Sequence, residues 1–399
     1  MNIAVVGGGA AGMMAASVAQ GHVTLFEKNE RLGKKVFISG KGRCNITTSK
    51  DVAEFFDNVV TNEKFLYSAL YALPPDKTAE LFEHAGVALK VERGDRIFPK
   101  SDKSSDIIKA YEKRLRDNHV ALKLNTPVKT IEKYGDTFYV NGQAFERVII
   151  ATGGLSYQST GSTGDGYLFA KALGHTIVET VPALVPILLK DSVKALQGLS
   201  LKNVELTAYE NRREIYRAFG EMVFTDCGIS GPIVLSTSSY INRRKNITLT
   251  LDLKPALDRE TLDRRLLRDF EAGKNKDLTN ALSRLLLKSL IDPILHAAQL
   301  DGRKKVHDIT KAERDNLVRI IKAWPLHYDG LMNINAGIVT GGGVCVKDID
   351  PSTMASKLVQ GLYFAGEVMD VDGLTGGFNL QIANSTGYLA GISAGRVKG

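Results

Sequence analysis

The sequence predicts an α/β fold: a doubly wound parallel-sheet domain, discontinuous along the chain, interrupted by a β-rich insertion and a small helical one. Three observations predict it. An apolar strand, a glycine turn and a helix open the chain; alternating and then leucine-periodic segments fill its middle; a second strand, acid, glycine pair and helix close it. The 399 residues exceed an ordinary domain of ~100–150 residues, so two or three domains are expected. With 44% apolar and 24% charged residues, the chain reads as globular rather than disordered.

Asn2 to Val6 (NIAVV) reads as a buried strand, followed by GGGAAG with Gly7, Gly9 and Gly12 at G-x-G-x-x-G spacing. Met13 to Gln20 continues as a helix that Gly21 ends, and His22 to Glu27 (HVTLFE) is a second strand closing on an acid. Glu27 stands 20 residues beyond Gly7, the offset at which a carboxylate meets a nucleotide ribose. Gly7 makes the tight turn, Gly9 lets backbone approach a diphosphate, and Gly12 lets the helix sit close on the strand. The helix N-terminus at Ala10 and Ala11 offers unpaired N–H groups to phosphate. Met1 to Ala19 is apolar enough to resemble a leader or a membrane span. No Lys or Arg precedes the run, however, and glycines interrupt it, so a strand, turn and helix fit it better.

Two further segments favour FAD over NAD. Lys28, Lys34 and Lys35 precede a glycine-rich stretch holding Gly42, Arg43, Cys44 and Asn45, a basic loop suited to cradling a long dinucleotide. Near the C-terminus, Leu362 to Ala365 reads as a strand ended by Gly366 and Glu367. Gly376 and Gly377 then lead into a helix whose first turn holds Phe378, Asn379 and Leu380. Glu367 would bind ribityl hydroxyls, and the helix N-terminus would face the flavin C2 carbonyl and stabilise charge on the reduced ring. Between them, VIIATGG brings a strand ending at Ala151, Thr152 and Gly153 to the same side of the sheet. Val128 completes the expected cofactor-binding set.

At this level the chain resembles the BaiN-like three-domain bacterial flavoproteins, described as aminoacetone oxidases or dehydro-bile-acid reductases. The segments that carry the resemblance include VVGGGAAGMMAA, KNERLGKKVFISGKGRCN, GDRIFPKSDKSSDI, ATGGLSYQSTGSTGDGY, FTDCGISGP, IVTGGGVCVKDIDPSTMASK and GLYFAGEVMDVDGLTGGFN, spread along the whole chain. The resemblance implies a Rossmann-like domain holding FAD non-covalently. The chain departs from the pattern at Asp226, where many relatives carry His, so a His-based role at that loop does not carry over.

The organisation follows from changes of period. Residues 1–183 form the first part of the FAD domain, and the prolines of Thr180 to Pro186 mark its edge. Residues 184–256 carry strand patterns at Ile187–Lys190, Val204–Tyr209, Ile215–Ala218 and Ile247–Leu253, a β-rich substrate domain. In 257–322, Leu262, Leu266, Leu278, Leu282 and their neighbours recur at helical spacing, a core stripe of a helical domain. Residues 323–338 return as a strand to the β-rich domain, and 339–399 complete the FAD domain.

The net charge is +8, which suits an anionic cofactor. Basic runs in the insertion, including Arg212-Arg213, Arg243-Arg244-Lys245 and Arg303-Lys304-Lys305, read as solvated faces with few aromatics for stacking bases, so no nucleic acid is expected. A tRNA-modifying flavoprotein remains the competing reading from another class. Three sparse cysteines without CxxC spacing exclude a disulfide framework and point to a cytoplasmic setting. No metal site is expected from the spacing of the seven His. Cys44, beside Arg43 and Lys41, has the basic neighbours that lower a thiol pKa, yet a packing role near the cofactor is the favoured reading.

No protein acid or base is assigned to catalysis; the flavin itself carries the chemistry. Asp226, Asp372 and His327 are the candidates near it, the acids suiting a cationic amine. Two enzyme readings compete. One is an oxidase of a small primary amine, of the aminoacetone type, using O2 and releasing H2O2. The other is an NAD(P)H-dependent reductase of an enone. A dedicated NAD(P)H domain would show a second G-x-G-x-x-G after a strand, and none is present; Gly161 to Gly166 has the wrong spacing. NAD(P)H, if used, would bind transiently over the flavin, which tilts the reading slightly toward the oxidase. A small-molecule substrate, no membrane partner, and a monomer or dimer complete the expectations.

Overall fold

The computed structural model describes residues 1–396. Two compact units are present, one of residues 1–183 and 333 onward, the other of residues 184–332. The first is built on five parallel strands in the order Leu362–Phe364, Arg147–Ile150, Asn2–Val6, His22–Phe26, Ala121–Lys123. Ile3 to Val6, Val148 to Ile150 and Leu362 to Phe364 are buried, as expected of parallel strands covered on both faces. A three-stranded antiparallel meander spans Ile131–Phe145. The fold is a Rossmann-like α/β domain with a large antiparallel sheet and helices in the second unit.

Close helix contact organises the first unit. The first helix, Ala10–Val18, lies against the last, Phe378–Gly395. Gly387, Gly391 and Gly395 recur every four residues on the last helix, and a Cβ at each would lie 2.4 Å from Ala11 O, Ala15 O and Gln20 N respectively. Only glycine lets the two backbones approach this far. Gly12 does the same toward the sheet, since its Cβ would sit 1.9 Å from Gly7 O.

Strand Ile177–Ala183 runs through the stretch that reads as a boundary and pairs antiparallel with Val339–Val344. The change of unit comes only after Ala183, where Leu184 takes a left-handed φ of 51°.

The second unit holds a seven-stranded sheet in the order 324–326, 247–252, 200–210, 213–224, 228–230, 187–189, 328–331. Helices Arg259–Glu271, Lys288–Ala297 and Lys311–Lys322 bury Leu262, Leu266, Ile291, Ile294, Leu317 and Ile321 in the same core as Leu206, Phe224, Leu249 and Leu251 of the sheet. The segment 257–322, which reads from sequence as a domain of its own, therefore shares one core with the strands: its leucine stripes have the sheet as their apolar partner. Residues 333–338, which read as part of the returning strand, fall in the first unit, with Asn333 capping a short 3-10 turn at Ile334–Ala336.

Candidate active site

A cleft opens in the first unit at the carboxyl ends of the parallel strands, lined by Gly7 to Ala11, Glu27, Lys28, Lys35, Val128, Ala151 to Gly153, Glu367 and Leu380 among others. Open α/β sheets bind their ligands at this edge.

The glycine turn shows why each residue is needed. Gly7, with φ +106°, would place a Cβ 2.5 Å from Ala151 O. A Cβ on Gly9 would meet no protein atom within 4 Å. Gly9 is the N-cap of the first helix, without a side-chain cap and without an acid in the first turn. The helix therefore presents unpaired N–H groups and its positive dipole end to the open space over Gly9, which fits a diphosphate.

Glu27 is buried and already fixed. Its Oε2 accepts from Gly8 N at 2.8 Å, and its Oε1 accepts from Asn29 N at 2.8 Å and Asn29 Nδ2 at 2.7 Å. The carboxylate is aimed by three donors and keeps acceptor capacity for a ribose hydroxyl. Glu367 is held in a similar way on the opposite wall. Its Oε1 accepts from Thr340 N at 2.8 Å and Ser156 Oγ at 3.0 Å, and both oxygens pair with Lys35 Nζ, at 3.0 and 2.8 Å. Lys28 pairs with Asp165 at 2.8 Å, and Lys34 lies 3.3 Å from Asn29 Oδ1 and 3.4 Å from Glu30. The three lysines line the cleft, each with a polar or acidic partner.

The cleft thus brings together Gly7, Gly9, Ala10, Ala11, Glu27, Lys28, Lys34, Lys35, Val128, Ala151, Thr152, Gly153, Glu367, Asn379 and Leu380. Other expected residues do not line it and act on its frame. Gly12 packs on Gly7, and Gly366 packs on Ala11. Gly376 and Gly377, at φ +127° and +98°, start the last helix, with Gly377 against Thr47 O. Phe378 sits edge-on to Phe55 at 5.1 Å, and Asn45 Oδ1 lies by Gly377. Gly42 belongs to helical turns over Lys34–Gly42, interrupted by an extended Ser39 and a left-handed Gly40 and Lys41.

Arg43 and Cys44, both expected to bind the cofactor, do not line the cleft. Arg43 turns away from the cleft, where it pairs bidentately with Glu92 at 2.8 and 2.9 Å, reaches Asp102 at 3.2 Å and stacks over Phe98. That pairing holds Glu92 down to about 2. Cys44 is fully buried, and desolvation pushes its thiol up to about 12. With Arg43 occupied elsewhere, no cation lowers it, so the thiol is an inert packing group.

Among the catalytic candidates, Asp372 is buried in the first unit, in a short strand paired with Val59–Thr61. Asp226 and His327 belong to the second unit and are not cleft residues. Asp226 is exposed in the turn before Gly228–Ser230. His327 Nδ1 lies 2.8 Å from Asp191 Oδ1, an exposed pair. Sequence reasoning missed Asn29, Thr126, Thr160 to Ser162 and Asp165, all of which line the cleft. The GSTGDG run was their one signal: a Cβ on Gly161 would meet Asn29 Nδ2 at 2.6 Å and Lys28 Cε at 3.3 Å, so the run closes over the Glu27 end of the cleft. Among the described residues no group of three or more His, Cys, Asp or Glu could hold a metal. No helix among them is long and apolar enough to cross a membrane.

Comparison with known proteins places this geometry. The model of the HI0933-like protein Rossmann domain matches residues 1–393. A 3-dehydro-bile acid delta(4,6)-reductase of Clostridium scindens is 30% identical over 405 residues, covering 98% of both chains. Ribosomal RNA dihydrouridine synthases of Escherichia coli and Haemophilus influenzae are each 30% identical, over 392 and 407 residues, covering 96% and 98% of this chain and 95% and 98% of their own. With a dinucleotide turn, an opposed acid and a second helix start on one cleft, the chain belongs to the HI0933-like Rossmann family of flavin-dependent oxidoreductases.

Proposed function

We propose that this chain binds FAD non-covalently in the cleft and reduces a carbon–carbon double bond conjugated to a carbonyl. The observation that carries the cofactor is the opening above Gly9, flanked by the uncapped first helix and by Glu27. The first-helix N–H groups would hold the diphosphate, Glu27 the adenosine ribose, and Glu367, braced by Thr340, Ser156 and Lys35, the ribityl chain. The last helix, whose N-cap Gly377 has no side-chain cap and whose Asn379 and Leu380 line the cleft, would offer its positive end to the isoalloxazine and favour charge on the reduced ring. FAD bound in this way supplies hydride chemistry at N5.

The choice of a reductase over an oxidase rests on chemistry that the named relatives share. A Δ4,6 3-oxo steroid and a uracil ring both present an alkene conjugated to a carbonyl, and saturating either one delivers a hydride to an electrophilic carbon conjugated with that carbonyl. Nothing in an amine oxidation is common to both. This shared step outweighs the missing second dinucleotide motif, because a nicotinamide can bind transiently over the flavin as any substrate does. The same reading makes a desolvated, partly acidic pocket for a cationic amine unnecessary.

The test is anaerobic stopped-flow reduction of the bound flavin by NADH, NADPH and a panel of primary amines including aminoacetone. Saturable reduction by a nicotinamide, faster than by any amine, is expected. Fast reduction by an amine with no nicotinamide reaction would return the protein to the oxidase class.

A further inference from the structure

The second unit gathers two basic runs that lie far apart in sequence. Strands Ser200–Glu210 and Arg213–Phe224 form a hairpin whose tip is Asn211-Arg212. The loop after helix Pro232–Ile241 carries Arg243, Arg244 and Lys245 and leads into strand Ile247–Asp252, the other neighbour of Ser200–Glu210. The tip and the loop are joined directly. Asn246 Nδ2 donates to Asn211 Oδ1 at 3.0 Å, Asn211 N donates to Asn246 O at 3.4 Å, and Arg244 Nε donates to Tyr240 O at 2.9 Å. Asn211, Arg212 and Asn246 are all left-handed, with φ of 50°, 68° and 54°, so both turns are tight and fixed. Beneath them the rings of Tyr216 and Tyr240 stack at 4.0 Å and 15°, locking the hairpin to the helix.

Charge on this surface is one-sided. Arg212, Arg213, Arg244 and Lys245 are exposed. Glu210 is the acid at its centre, and it is spent on Arg244 at 2.9 Å and on Lys245 N at 3.3 Å, contacts that lower its pKa with the Arg244 hydrogen bond first. Glu214 is taken by Arg217. Arg212, Arg213 and Lys245 have no ion-pair partner among the described residues. Stability gives no reason to hold three such cations together, because like charges at close range repel.

We propose that this surface is a binding site for the phosphodiester backbone of RNA. Three features favour that occupant over an anionic membrane. Its cations are mostly arginine, whose planar fork matches phosphate oxygens bidentately. They sit on two turns braced against each other by Asn211 and Asn246, whereas a membrane-binding segment needs no such bracing. No large apolar side chain within 209–213 or 242–247 is exposed for insertion into lipid. The inference goes beyond the proposed alkene reduction and rests on the second unit alone.

The test uses the full-length FAD-loaded protein and a fluorescein-labelled, mixed-sequence single-stranded RNA, with anisotropy titrations over a range of salt. Two triple variants remove equal charge: Arg212→Gln/Arg213→Gln/Lys245→Gln at the surface, and Arg259→Gln/Arg264→Gln/Arg268→Gln on a helix elsewhere in the unit. Each single-strand phosphate contact contributes about 0.7 to the slope of log K against log salt, so the first triple should lower the slope by about 2. It should weaken binding about tenfold or more near 0.1 M salt, while the helix triple leaves slope and affinity close to wild type. Absence of RNA binding by the wild type, or an equal loss in both triples, overturns the proposal. So does a surface triple that loses binding to phosphatidylglycerol vesicles and not to RNA. The alkene reading fails separately: a protein that binds RNA through this surface but never saturates a conjugated alkene keeps the binding site and loses that chemistry.

Discussion

Gly9→Ala separates cofactor binding from folding, and Gly12→Ala is its counterpart. At Gly9 the backbone is extended, with φ −80° and ψ −173°, a conformation that alanine adopts without strain. The added Cβ meets no protein atom within 4 Å. The one expected cost to the apoprotein is that of alanine for glycine at an N-cap, about 0.5–1 kcal/mol. In the holoprotein the same methyl occupies the space where the diphosphate must approach the helix N-terminus. Displacing the diphosphate weakens one or two charge-assisted hydrogen bonds, at about 1.5–3 kcal/mol each. FAD affinity should therefore fall by roughly tenfold to more than a hundredfold. At Gly12 the Cβ would lie 1.9 Å from Gly7 O, so Gly12→Ala should cost about 3 kcal/mol or more and leave little folded protein. Apoprotein denaturant midpoints and fluorescence titration with FAD give both quantities. If Gly9→Ala binds FAD as wild type does, the diphosphate does not lie over the first helix, and the assignment of the cleft is refuted.

Other outcomes follow from the same geometry. Glu27→Ala deprives Gly8 N and Asn29 N of their acceptor as well as removing the ribose ligand, so it should cost the apoprotein about 2–6 kcal/mol, at ~1–3 kcal/mol per unsatisfied group, and reduce FAD affinity about tenfold to a hundredfold. A variant with unchanged apoprotein stability would show that the carboxylate is not engaged as described. Gly391→Ala puts a Cβ 2.4 Å from Ala15 O; overpacking at about 1–3 kcal/mol exceeds the gain in helix propensity of at most ~1 kcal/mol, so its denaturant midpoint should fall, and an unchanged midpoint would contradict the close contact of the first and last helices. His175 is buried with Nδ1 3.1 Å from Ala170 O and Nε2 2.7 Å from Ser356 Oγ. A carbonyl only accepts, so Nδ1 carries the proton and neutral Nε2 accepts from Ser356. Burial lowers its pKa below 6.5. The unfolded chain therefore takes up a proton that the folded one resists, and stability present above pH ~6.5 is lost as the pH falls toward the folded value. His175→Gln should flatten the difference in unfolding free energy between pH 7.5 and 5.5; an equal difference in the variant would assign the pH dependence elsewhere.

The sequence was most legible where backbone geometry allows one residue type. Gly7, Gly12 and Gly377 each approach another backbone too closely for a side chain, so their spacing alone located the turn, the first helix and the start of the last. The strands beside them announced themselves as short apolar runs. Legibility stopped where function depends on contacts across the fold. Lys28 meets Asp165 and Thr163 across about 135 residues, and no local pattern links them. Arg43 and Cys44 stand side by side in a basic loop, yet Glu92 draws the one away from the cleft while burial makes the other a packing group. The helical segment 257–322 looked independent because its leucine stripe is complete in itself, while the strands that cover it lie before and after it in the chain. Arg212-Arg213 and Arg243 to Lys245 read as dispersed runs until two left-handed asparagines brought their turns together.

The oxidative half-reaction tests the central claim most directly. The protein is loaded with FAD, reduced under anaerobic conditions, freed of excess reductant and mixed in a stopped-flow cell with a Δ4,6 3-oxo steroid or a uridine-containing RNA, while flavin absorbance is followed and the product is analysed by mass. The account predicts reoxidation of the flavin in step with a gain of two hydrogens by the conjugated alkene. A reduced flavin that stays reduced with every conjugated alkene, and reoxidises only when O2 is admitted, would contradict it.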